Sequence, residues 1–305
     1  MIKQLIMLIL FSFCYMQGTF GGYAIFDYSN DSGKDGFDLK RAYLSYSTDI
    51  SEDLFFKIRL DANRPLHNKL YVFVKNAYVD LKFDNGDKLS MGLIGTNSYG
   101  VQEKNWGYRF IEKSVIDKYG MTNTADYGIS YSKNFGKIKS SIQLLNGEGY
   151  GSEETDNNQA IYLSFLYGEP ELNKNDGMNF GIVVNHVPKD IEDNSLIGFF
   201  GGWSFNNLRF GLEHNQYKEK GISYIKKVSS LYTNYSINEK WAFVLRHDIN
   251  KEKFGEYLPE NSGEYPSEFT IVGGVWNPTK GLYLSPNVYL QDNTNTYRIT
   301  CMFKY

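Results

Sequence analysis

"DLFFKIRLDAN", residues 53–63, decides the fold. Leu54, Phe56, Ile58, Leu60 and Ala62 make one face, while Phe55, Lys57, Arg59, Asp61 and Asn63 make the other. A repeat of two is the period of a β-strand, and one greasy face against one largely ionic face marks a strand between unlike surroundings. The same alternation returns in "KNAYVDLKF" (75–83), "DKLSMGL" (87–93), "LRFGLEHN" (208–215), "WAFVLRHD" (241–248) and "GLYLSPNVYLQ" (281–291). It also closes the chain, where Tyr297, Ile299, Cys301, Phe303 and Tyr305 alternate with Arg298, Thr300, Met302 and Lys304. Patterning of this kind predicts about sixteen strands, among them 37–49, 53–63, 70–83, 87–95, 126–134, 137–146, 207–217, 240–249 and 295–305.

Composition points the same way. Among 305 residues there are 25 Tyr, 21 Phe and 29 Gly but only 7 Pro, an excess that suits strands joined by turns. The net charge of −3 lacks the basic excess of a nucleic-acid binder, so no nucleic-acid partner is expected. "MIKQLIMLILFSFCYMQG" (1–18) carries Lys3 and then an apolar run too short to span a bilayer, the pattern of a secretory signal peptide. Cleavage near Gly18 or Cys14 would leave Cys301 as the sole cysteine, so no internal disulfide is expected. No other apolar run is long enough for a helical span, which leaves strands as the only means of crossing a membrane.

The connections alternate. Tight ones such as "DNGD" (84–87), "FGK" (135–137), "NN" (206–207) and "INEK" (237–240) carry turn chemistry. Long polar ones, 96–125, 147–157, 188–195, 218–224 and 249–267, lie between them. A meander with two unlike ends is the pattern of an outer-membrane barrel with short periplasmic turns and longer external loops. The expected fold is therefore all-β, a transmembrane antiparallel up-and-down barrel filling 19–305 as a single domain, its last strand ending on an aromatic at the periplasmic rim. This places the protein in the outer membrane of a Gram-negative bacterium, among lipid and lipopolysaccharide. Rival readings are a non-transporting barrel acting as adhesin or structural protein through its external loops, and a soluble exported sandwich binding carbohydrate through Tyr and Trp.

Several stretches resemble the phosphate-selective porin O and P family: "FDLKRAYLSY" (37–46), "NAYVDLKF" (76–83), "GLIGTNSYG" (92–100), "DYGISY" (126–131) and the Asn-Gly of "LLNGEGYG" (144–151). The resemblance covers roughly 37–165. It departs from the family in "GLIGTNSYG", which lacks the usual proline, and at Ala125, where an Arg commonly precedes the Asp. It implies an outer-membrane porin for small anions, assembled as a homotrimer.

Sixteen strands enclose a water-filled channel whose inward residues set selectivity. Alternation assigns the cations Arg41, Lys57, Arg59, Lys82, Lys88, Lys137, Lys139, Arg209, Arg246, Arg298 and Lys304 to the lumen. The acids assigned there are Asp61, Asp80, Asp126, Glu213 and Asp248. The surplus of cations predicts an anion-preferring pore for passive diffusion of small polar solutes. The surplus acids, such as Glu153, Glu154, Asp156, Asp190, Glu192 and Asp193, fall in external loops. The longest connection, 96–125, mixes aromatic bulk with charge in "WGYRFIEK" (106–113). It is expected to fold into the barrel and narrow it, with Arg109 and either Lys104 or Lys113 at the constriction. The four histidines (His67, His186, His214, His247) stand in no metal or catalytic spacing, and no GxSxG occurs. No enzyme activity, cofactor or metal is expected.

Overall fold

The computed structural model describes residues 18–31, 34–63, 69–189, 193–221, 223–255, 265–292 and 294–305, with the side chains of positions 31 and 34 left aside. The expected signal segment, His67 and the loop acids Asp190 and Glu192 lie outside the described residues, Gly18 excepted.

Sixteen antiparallel strands close into one barrel, each hydrogen-bonded to its neighbours in sequence. They are β1 (Thr19–Asp31), β2 (Lys34–Asp49), β3 (Leu54–Asn63), β4 (Tyr71–Lys82), β5 (Lys88–Gly95), β6 (Ala125–Phe135), β7 (Ile138–Leu145) and β8 (Ala160–Gly168). The second half is β9 (Gly177–Val187), β10 (Asn194–Phe205), β11 (Leu208–Glu219), β12 (Tyr224–Ser236), β13 (Trp241–Lys253), β14 (Glu268–Thr279), β15 (Leu282–Gln291) and β16 (Thr294–Lys304). Closure is made by β1 against β16, from Tyr23↔Lys304 to Asn30↔Tyr297. That pairing removes the row of open N–H and C=O groups that an edge strand would expose.

The alternation turns the usual burial rule inside out. On β12, Leu231 is 61% exposed while its neighbour Tyr232 is 1% exposed. On β13, Phe243 and Ile249 face out, while Arg246 and Asp248 are fully buried on the inner side. Trp241 and Trp276, both exposed, stack at 5.6 Å on the outer surface near the short-turn end, as an interfacial aromatic girdle does. Among the described residues no helix is long and apolar enough to cross a membrane, which says nothing of strands.

Two differences from the sequence reading matter later. β11 and β13 run on to Glu219 and Lys253, beyond the expected ends at 217 and 249. Their last residues are ionic, which ends an apolar pattern without ending the ladder. At the second site, β3 and β4 slip register between Arg59 and Leu60: Arg59 faces Asn76, and Leu60 faces Val74. The residue left over is Lys75, buried beside Asn76 while Val74 faces out. A bulge of this kind breaks the period of two, so strict alternation misplaces the extra residue.

Residues 96–124, between β5 and β6, carry two short helices, α1 (Gly100–Trp106) and α2 (Val115–Lys118). Their apolar side chains complete two clusters with the inner wall. Trp106, Phe110 and Ile111 pack with Tyr232, Val244, Phe269, Ile271, Val275 and Tyr289. Val115, Ile116, Tyr119 and Met121 pack with Leu166, Val183, Leu196, Phe200 and Val228. This explains why β8–β14 carry apolar residues on a face that should meet water.

Gly92 on β5 has φ +120°, and a Cβ there would lie 2.5 Å from the carbonyl oxygen of Ala77 on β4. Gly92→Ala is therefore expected to weaken the β4–β5 ladder by roughly 1–3 kcal/mol. The check is the temperature at which the unboiled, folded gel band gives way to the unfolded one, which should fall for this variant.

Candidate functional site

The segment between β5 and β6 is bonded to the wall strand by strand. The Asn97 backbone N–H donates to Gln143 Oε1 of β7 at 2.9 Å, and the Ser98 hydroxyl donates to Asn185 Oδ1 of β9 at 2.7 Å. Asn105 and Asn179 exchange two amide hydrogen bonds, both 2.8 Å. The Trp106 carbonyl accepts from Arg209 (β11) at 3.1 Å and Asn234 (β12) at 3.0 Å. Arg246 (β13) donates to the Lys113 carbonyl at 2.6 Å, Tyr289 (β15) to that of Ile111 at 2.5 Å, and Lys226 (β12) to that of Tyr119 at 3.0 Å. Gly107 makes the close approach of Arg209 possible: its φ is +78°, and a Cβ would fall 2.2 Å from Arg209 Nη2.

These contacts run along β7–β15. The sector made by β1–β4 and β16 faces the opposite side of the segment, where two cavities open. The larger, about 630 Å³, is lined by Arg41, Lys40, Arg298, Arg109, Phe110 and Lys113 among others. The smaller, about 380 Å³, is lined by Tyr23, Tyr43, Arg59, Glu103, Arg109 and Phe110 among others. Arg109 and Phe110 belong to both.

Charge in this sector is mostly paired. Asp27 accepts from Arg298 at 2.5 Å, Asp61 lies 3.4 Å from Arg41, and Glu103 lies 2.8 Å from Arg109. Asp117 is 3.5 Å from Arg109 and 3.7 Å from Lys113, and Glu112 is 3.7 Å from Lys118. Four cations, Lys57, Arg59, Lys75 and Lys304, have no carboxylate at ion-pair distance among the described residues. The Arg59 guanidinium sits 5.2 Å from the Tyr43 ring centre, and Lys75 lies 3.6 Å from the Tyr150 ring centre and donates to the Thr124 hydroxyl. Of the four, Arg59 and Lys304 line the smaller cavity, while Lys75 is 4% exposed.

The segment's acids are held in different states. Burial would raise the Glu112 carboxyl, but Lys118 and Arg246 beside it outweigh burial and hold it at about 2. Burial raises the Glu103 carboxyl above its ordinary value, and the attraction of Arg109 does not cancel it. Burial opposes the Arg109 charge, yet Glu103 and Asp117 hold its proton more firmly than usual.

The sequence-assigned residues are not all brought together. Arg41, Arg59, Asp61, Arg298, Arg109 and Lys113 come together in the open sector, with Lys304 at the smaller cavity and Lys57 one inward step along β3 from Arg59. Lys82 and Lys88 sit at the short-turn rim, paired to Asp49 at 2.9 Å and Asp80 at 3.0 Å. Lys139 is exposed at the start of β7, and Lys137 lies in the turn before it rather than on a strand. Arg209 and Arg246 are engaged with the segment's backbone, Arg246 being further held by Asp248 at 2.7 Å. Lys104 pairs with Glu171 of the β8–β9 turn at 3.0 Å and lines neither cavity. Sequence reasoning missed Lys75, Tyr43, Glu103 and Glu112. His186 and His214 face outward, and His214 bonds Ser229. Among the described residues, no group of three or more metal-ligating side chains gathers.

No family model and no curated protein matches the chain, but solved structures do. OmpF of Salmonella typhi, in complex with daunomycin, superposes with a TM-score of 0.69 at 11% identity, over 95% of this chain and 98% of that one. The trimer form of OmpT, an outer membrane protein of Vibrio cholerae, gives 0.64 at 11%, over 95% and 99%. A mutant of the Rh. blastica porin gives 0.64 at 12%, over 95% and 100%. The chain thus has the fold of outer-membrane porins.

Arg246 shares a fully buried pair with Asp248, and removing one partner of such a pair costs about 3–5 kcal/mol. Arg246→Ala is expected to loosen residues 96–124 from β13. Limited proteolysis of the folded barrel should then cut within that segment, which the wild type protects.

Proposed function

We propose that the protein is a porin of the Gram-negative outer membrane, through which small polar solutes, anions preferentially, diffuse passively. Residues 96–124 act as the constriction, and solute passes between Arg109–Lys113 and the wall formed by β1–β4 and β16. The two cavities that meet at Arg109 and Phe110 support this route. Three copies assemble, as the resemblance to phosphate-selective porins implies and as the trimer form of OmpT illustrates for this fold. No covalent step or cofactor enters the proposal.

One observation carries the anion preference. In the open sector each acid named above has a cationic partner, whereas Arg59 and Lys304, both at the smaller cavity, have no acid at ion-pair distance among the described residues. A paired charge presents a dipole to a passing ion, while an unpaired one at the cavity wall, as Arg59 is, presents a full charge in a narrow, poorly screened space. The finer assignment to phosphate-like anions rests on the short motifs of β2 and β4–β7.

In planar bilayers under a KCl gradient, the reversal potential should indicate Cl⁻ over K⁺. Arg59→Glu should move it toward K⁺, and Arg59→Glu with Lys304→Gln further still. An unmoved potential would contradict the assignment.

Glu103 adds a dependence on pH. A carboxyl with a raised pKa takes up its proton earlier as pH falls, so the constriction loses this negative charge while Glu112, held at about 2, keeps its own. Chloride preference should therefore begin to strengthen as pH falls while still above the ordinary carboxylate range. Glu103→Gln should flatten that rise, measured by reversal potential at each pH.

A further inference from the structure

The outer surface carries a charged patch that the pore does not explain. On β11–β13, near the end away from the short turns, Lys218, Lys227, Lys251 and Lys253 are all exposed. They lie on the outward parity shared with Leu212, Leu231 and Ile249, whereas their chain neighbours Lys226 and Glu252 take the inward one. In the ladder Lys227 stands directly opposite Lys251, and Lys218 and Lys253 flank Ile225 from either side. Like charges directly opposite on one sheet face repel, and a sequence gains nothing in stability from such a pair alone.

Among the described residues none of the four is in an ion pair, although Lys220, just beyond, is paired with Asp193 at 3.5 Å. On the β13 side the nearest outward acid in register is Glu268 of β14, opposite Ile249 and so diagonal to Lys251.

Height on the barrel identifies what the patch meets. Trp241, at the aromatic girdle, and Lys251 are the first and eleventh residues of β13. Ten steps at about 3.4 Å, tilted by about 40°, rise roughly 26 Å, which matches the roughly 25 Å apolar band of an outer-membrane barrel. Lys227 and Lys251 therefore stand at the far edge of the band, level with lipid headgroups, above the exposed Phe210, Leu212, Leu231 and Phe243. Ammonium groups there act as point charges for phosphate oxygens.

We propose that these four lysines dock the phosphorylated headgroup of an outer-leaflet lipid, with its acyl chains on the apolar surface below. An anion shared between Lys227 and Lys251 removes their mutual repulsion. The inference rests on the membrane reading above, but the lysines face away from the lumen, so the two can fail separately.

The test uses the folded protein in neutral detergent micelles doped with diphosphorylated lipid A or with phosphatidylcholine, and lipid retained per barrel is read by native mass spectrometry. The wild type should retain lipid A over phosphatidylcholine and keep it in excess sodium phosphate. Lys227→Gln/Lys251→Gln should weaken retention about tenfold or more, with folded gel mobility and single-channel conductance unchanged. Lys218→Gln/Lys253→Gln serves as the second variant should the first not fold. Equal retention of lipid A by a folded variant, equal retention of phosphatidylcholine, or displacement by inorganic phosphate would each overturn the proposal. Loss of conductance in the wild type would instead overturn the porin reading.

Discussion

Backbone closure is the constraint on which the rest of the structure depends. A strand edge in hydrocarbon leaves each N–H and C=O without a partner, so the sheet must return to its own first strand. The β1–β16 ladder does this, and sixteen strands then enclose more space than their own side chains can fill. The fold meets that surplus with the connection after β5. Its aromatic and aliphatic side chains pack on β8–β14, and its backbone carbonyls are taken up by Arg209, Asn234, Arg246, Tyr289 and Lys226. The inner wall is divided accordingly. One side carries most of the apolar residues and the clamps, the buried Arg246–Asp248 pair among them, and the other carries the two cavities and the cations without carboxylate partners.

This division changes what a lumen arginine means. Arg246 and Arg59 both alternate with apolar residues and look alike in sequence. Arg246 is fully buried, held by Asp248 and bonded to a loop carbonyl, so its charge is spent on structure. Arg59 rests against Tyr43 at the wall of the smaller cavity, with no carboxylate at ion-pair distance among the described residues. Counting inward cations therefore overstates the field; what matters is which of them lack an acid nearby.

Much of the barrel was legible because a period of two survives wherever lipid lies on one side and water or polar contacts on the other. "DLFFKIRLDAN" is such a stretch, and β3 spans all but its first residue. The pattern fails for physical reasons at particular places. Lys75 occupies a bulge, which inserts a residue and resets the alternation. Lys218, Lys251 and Lys253 continue their strands above the apolar band, where no greasy face is required and polarity imitates a loop. Lys104 and Arg109 sit five residues apart in one polar segment, and only three-dimensional packing separates the one bound to Glu171 from the one at both cavities. Pairing across strands is likewise a matter of register, which period alone does not reveal.

The central claim is that apolar side chains face lipid while ionic ones face an aqueous interior. Single cysteines placed in a Cys301→Ser background at Ile58, Leu245, Lys57 and Arg59 test it directly, with the protein folded in lipid bilayers. A membrane-impermeant thiol reagent should label positions 57 and 59 readily and leave 58 and 245 untouched. Rapid labelling at 58 and 245 with protection at 57 and 59 would contradict the account.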